Sequence, residues 1–120
     1  IPFDGPISTT QVGLVDGEFV FNPTAAQKEV SDLALTVAST KEKVIMIEAG
    51  ANEVPEAQMI EAIFAAHELN QKVIAFIETI VAECGKAKHE YTSCAVPEEL
   101  FEAIKEIVPP AEMEEASLYR

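Results

Sequence analysis

The feature that most limits what this chain can fold into is a long helical pattern over residues 54–85. Met59, Ile63, Ala66, Asn70, Val73, Ile77, Ile80 and Cys84 recur at alternating steps of four and three, which puts them on one stripe of an α-helix. A second row, Ile60, Phe64, Leu69, Val73 and Phe76, makes the apolar face wider than a two-helix seam requires. Pro55 suits the first turn, where no backbone N–H is needed, and Glu56 puts a negative charge at the positive end of the helix. Gly85 is expected to end the element in a left-handed conformation. The polar middle, residues 67–71, is where a kink or break is expected. A helix with this much apolar surface must cover another layer, so it reads as the core helix of an α+β arrangement.

The layer it would cover lies upstream. Residues 11–15 and 18–21 are β-prone runs flanking Asp16-Gly17, and Asp-Gly in that position is a strong hairpin signal because both residues tolerate positive φ. Residues 25–31 are polar and read as a short helical turn or a loop. Leu33, Leu35 and Val37 then alternate with Ala34, Thr36 and Ala38, the period-two signature of a half-buried strand. Residues 39–43 form a polar turn, and Val44-Ile45-Met46-Ile47 return as a second hairpin. That return strand is apolar on both faces, which predicts a central strand covered on both sides. Gly50-Ala51-Asn52-Glu53 turn the chain into the helix.

The ends differ in character. Residues 1–7 hold two prolines and a glycine and suit an irregular or edge segment. Their apolar opening, Ile1-Pro2-Phe3, has the look of a start inside something larger. Residues 86–93 have no periodicity and read as a linker. Residues 96–108 form a short amphipathic helix with Leu100, Ile104, Ile107 and Val108 on one face, stopped by Pro109-Pro110. Residues 111–120 could begin another helix. The expected division is therefore 1–85 for the sheet and its helix, and 86–120 for a linker and the start of a helical part.

Charge narrows the function classes. Twenty-one acidic residues against eight basic ones give a formal net charge of −13, and Arg120 is the sole arginine. Nucleic-acid affinity depends on neutralising phosphates, so this chain alone reads as a poor nucleic-acid binder. The polar residues 68–72 argue against a membrane span, and two cysteines do not make a stapled secreted scaffold. A reducing, cytoplasmic setting is expected.

No catalytic motif is present: no glycine-rich phosphate loop, no Gly-x-Ser-x-Gly elbow and no His-Glu-x-x-His. Cys84, His89 and Cys94 have a spacing faintly like a zinc knuckle, but the fourth ligand of a closed site is missing and free thiols are the better reading. His67 beside Glu68 could form a His–Glu pair; a half-buried, hydrogen-bonded helix histidine is the plainer account, as no nucleophile lies near in sequence. Glu48 reads as a solvated strand end or a hydrogen-bond partner, and the glutamates after residue 97 as a solvated surface. No catalytic, cofactor-binding or metal-binding residue is assigned.

An ordered series of strings carries a resemblance. P-F-D-G-P-I (2–7), V-G (12–13), F-N-P-T (21–24), L-A-L-T-V-A-S-T (33–40), V-I-M-I-E-A-G-A (44–51), E-V-P-E-A-Q-M (53–59) and A-A-H-E (65–68) together resemble the bacterial polyribonucleotide nucleotidyltransferase (polynucleotide phosphorylase) family. The likeness covers about the first 85 residues, with Ser39 and Ala66 standing where the family pattern leads one to expect glycine. It implies a ribonuclease PH-like fold, here the second half of the first core domain plus the start of an all-helical domain. It also implies a trimeric parent enzyme that degrades RNA from the 3′ end with phosphate, releases nucleoside diphosphates and uses Mg²⁺. The phosphate and metal ligands of such an enzyme are expected in a second core domain and its arginine-rich RNA loops earlier in the first. No family catalytic residue therefore carries over onto this chain. Two other readings compete, a non-catalytic ring subunit of an exosome-like complex and a small acidic module that binds a partner protein.

One expectation concerns association. With residues 44–47 apolar on both faces and a helix bearing more than one apolar row, the isolated chain is expected to form a dimer or higher oligomer, by exchange of a hairpin or of the C-terminal helix.

Overall fold

The computed structural model describes residues 4–118. Along the chain it forms β1 (Ser8–Val15), β2 (Glu18–Phe21), α1 (Ala25–Glu29), β3 (Leu33–Ser39), β4 (Val44–Ala51), α2 (Glu56–Cys84), α3 (Glu98–Ile107) and α4 (Pro110–Leu118). Two compact units divide between Lys88 and His89. Residues 1–3 of the expected opening segment lie outside the described residues.

In the first unit, four antiparallel strands form one sheet in the order β2-β1-β3-β4. Asp16 (φ 52°) and Gly17 (φ 82°) make the tight turn between β1 and β2, closed by the pair Val15 and Glu18. β1 begins earlier than the β-prone run at residue 11, because its first half pairs with β3 rather than β2: Ser8 lies opposite Ser39 and Val12 opposite Leu35. The two hairpins thus share one sheet through β1 and β3. The second hairpin turns on Thr40, whose N–H donates to the Lys43 carbonyl at 2.9 Å while its Oγ1 accepts from the Lys43 N–H at 3.1 Å. The polar stretch after β2 is α1, started by Thr24 and Gln27. The Gln27 N–H donates to Thr24 Oγ1 and the Thr24 N–H to Gln27 Oε1, which satisfies two amides at the helix start.

α2 covers one face of the sheet. Val12, Leu14, Leu33, Leu35 and Val37 meet Ala62 and Ala66 of α2 in the core, with Met59 and Ile63 packed at its margin. Small residues at 62 and 66 let the helix approach closely. The other face carries exposed Thr9 and Gln11, the polar alternation of an antiparallel sheet solvated on one side.

β4 corrects the expectation of a central strand. It is an edge strand, and apart from half-buried Val44 every one of its residues is exposed. It also runs on past Glu48 to Ala51, so that Gly50 and Ala51, expected in the turn at residues 50–53, are its last two residues. The apolar run was read as evidence of cover on both faces; α2 instead lies mainly over β1 and β3, leaving Ile45, Met46 and Ile47 at 51%, 43% and 50% exposure.

α2 corrects two further expectations. It is continuous from Glu56 to Cys84, about 43 Å long, with no break at residues 67–71. Its polar middle stays helical because Asn70 is drawn into the core by specific hydrogen bonds. Gly85 caps the helix in an extended conformation (φ −63°, ψ 150°), its N–H donating to the Val81 carbonyl, rather than in a left-handed one.

The second unit contains α3 and α4. α3 follows Pro97 and ends at Ile107; Pro110 starts α4, so the proline pair ends one helix and opens the next. The Lys105 ammonium pairs with Glu102 at 2.7 Å and lies 4.5 Å from the centre of the Phe101 ring. The amphipathic face of α3 is present, but none of its residues is buried.

Candidate functional site

The most specific polar geometry in the first unit lies between the sheet and α2. The Thr10 hydroxyl donates to Asn70 Oδ1 at 2.8 Å, and Asn70 Nδ2 donates to the Val37 carbonyl at 3.0 Å and to Ser39 Oγ at 3.1 Å. Asn70 is fully buried, in step with Ala62 and Ala66 on the sheet-facing stripe. One amide therefore ties the helix to β1 and to β3 beside the register shift at Ala38 and Ser39. A buried amide without partners is costly, so these bonds fix where the helix sits along the sheet.

A second hub holds the end of the sheet near α1. Ser31 Oγ accepts from the Leu14 N–H at 2.8 Å and from the Leu33 N–H at 3.3 Å, and donates to the Leu33 carbonyl at 2.7 Å. Gly13 faces it so closely that a Cβ there would come within 2.9 Å of Ser31 Oγ. Among the described residues no buried side-chain nitrogen or oxygen lacks a partner. Both hubs spend their donors and acceptors inside the fold; they are clamps rather than reaction centres.

Two surface hollows flank these clamps. One, about 140 Å³, is lined by Gln11, Pro23, Lys28 and Thr36 among others, and its Lys28 Nζ donates to Gln11 Oε1 at 2.7 Å. The other, about 500 Å³, lies between residues 4–7, the turn at 40–43 and Glu78. Lys41 there pairs with Glu78 at 2.9 Å, and Asp4 and Glu42 offset Lys43. Such mixed charge makes no positive cradle for a phosphate.

The residues weighed from sequence lie on different parts of the chain. Glu48 is exposed on β4. His67 is half-buried on α2, with both ring nitrogens at 3.4–3.5 Å from Gln71 Nε2, which itself donates to the Thr40 carbonyl at 3.1 Å. Cys84 and Cys94 are exposed free thiols, and the Cys84 Sγ–H donates to the Ile80 carbonyl. Cys84 belongs to the first unit, and His89 and Cys94 to the second. Among the described residues no three His, Cys, Asp or Glu side chains converge as ligands for a metal ion.

The chain has counterparts among known proteins. The pattern of the 3′ exoribonuclease family, domain 2, matches residues 5–68, more than half of the chain and the whole of the sheet. The chain belongs to the 3′ exoribonuclease family. The polyribonucleotide nucleotidyltransferase of Lachnoclostridium phytofermentans is 78% identical over 116 residues, which is 97% of this chain and 17% of that protein. Those of Caldicellulosiruptor saccharolyticus and Bacillus velezensis are 52% and 51% identical, over 89% and 92% of this chain and 15% and 16% of their own lengths. The chain thus spans about a sixth of the length of these curated relatives. The resemblance read from the ordered strings is shown, and so is the α+β fold, that of the C-terminal part of a ribonuclease PH domain.

At the two positions where the resemblance to polyribonucleotide nucleotidyltransferases led to an expectation of glycine, the side chains are in use. Ser39 receives the Asn70 amide, and the Ala66 methyl is fully buried in the core. The sequence reading placed Asn70 on the apolar stripe but passed over its role. The signal was there: a lone amide in phase with buried alanines, facing strands that alternate Ser8, Thr10 and Val12.

Proposed function

We propose that this chain is a non-catalytic structural part of a polyribonucleotide nucleotidyltransferase, an enzyme that degrades RNA from its 3′ end by phosphorolysis and releases nucleoside diphosphates. The observation that carries the reading is the 78% identity to one such protein across nearly the whole chain. On this reading residues 1–85 complete a ribonuclease PH-like core domain and residues 86–120 open a helical one. The sheet, with α2 clamped through Asn70, is a rigid support, and the phosphate and metal ligands are supplied elsewhere in the polypeptide. The donor set here does not fit a Mg²⁺ site, since among the described residues no three candidate ligands converge. The net charge of −13 also favours a supporting role over RNA binding. The reading includes a cytoplasmic setting; among the described residues no helix is long and apolar enough to cross a membrane.

Two measurements test it. The purified chain, given poly(A), phosphate and Mg²⁺, should release no ADP above background. ADP release abolished by His67→Ala would overturn the non-catalytic assignment. Replacing the corresponding segment of the Lachnoclostridium phytofermentans enzyme with this chain should leave that enzyme's ADP release intact. Loss of activity in a correctly folded chimera would show that the segment is not equivalent.

A further inference from the structure

We draw no further inference here: the strongest candidate, the exposed apolar patch of Phe76, Ile80 and Val81 on the C-terminal part of α2, carries none because nothing in the structure shows what covers it.

Discussion

The part of α2 up to Ile74 and the part beyond it carry the same apolar stripe, yet only the first is packed. Ala62, Ala66, Asn70 and Ile74 are buried in steps of four. Further on, Phe76, Ile80 and Val81 are 65%, 44% and 59% exposed, although Ile80 and Cys84 continue the stripe in phase. The sequence is equally periodic in both halves; the difference is the sheet, whose strands end under the first half. Periodicity reports which side of a helix seeks cover, and topology decides whether cover exists.

The sharpest way to break this comparison is at the junction, where neighbouring residues differ. Ile74 is 1% exposed and Val73 is 42% exposed. Ile74→Ala should cost about 2–5 kcal/mol of unfolding free energy, the range for emptying a buried aliphatic site. Val73→Ala should cost under about 1 kcal/mol, since the methyls removed are already partly in water. Urea unfolding followed by circular dichroism measures both. Similar values for the two would mean that the helix is docked over its whole length.

A second prediction concerns what holds the docked half in place. Asn70→Leu keeps the volume but leaves the Thr10 and Ser39 hydroxyls without their amide, at about 1–3 kcal/mol. Combined with Thr10→Val it should cost less than the two single changes together, because they share one hydrogen bond. Full additivity would mean that the amide and the hydroxyl act separately.

These contrasts also show what could be read from residues alone. The Asp16-Gly17 turn, the alternation of Leu33, Leu35 and Val37, and the helical spacing after Pro55 are local signals, and the elements stand where they point. The place of β4 was not local. Val44-Ile45-Met46-Ile47 has the composition of a central strand, and only the strand order reveals an edge. The helix middle failed for a related reason. Residues 67–71 look like a break when polarity is counted, but a single buried amide with partners on two strands keeps Asn70 inside. For the candidate site, sequence could name His67, Cys84, His89 and Cys94 one by one. Their distances depend on tertiary placement, and the clamps join residues 60 positions apart at Asn70 and 17 apart at Ser31.

A third, smaller effect probes the other end of the sheet. Gly13→Ala would push a methyl to within 2.9 Å of Ser31 Oγ, an atom already held by two backbone N–H groups and a carbonyl. The serine cannot swing away without giving up those bonds, so a loss of about 1–3 kcal/mol is expected. Gly50, on the exposed edge strand, has open space where its Cβ would lie, and Gly50→Ala should be nearly silent by the same unfolding assay. Equal effects would mean that the Ser31 hub is looser than its geometry.

The smallest expected effect returns to the free half of α2. Phe76→Gln removes a large ring that is 65% exposed and puts an amide in its place. In a monomer the ring contributes little burial, glutamine is at least as good a helix former, and the change should fall within about 0.5 kcal/mol. That near-zero value is informative, because phenylalanine normally brings one of the largest apolar areas in a protein. A loss of about 2 kcal/mol or more would place the ring under cover in solution. Repeating the measurement across protein concentrations identifies the cover: a loss that grows with concentration belongs to a second copy, and a constant one to the same chain. A silent Phe76→Gln beside a costly Ile74→Ala would set the border of the packed core within half a turn of helix.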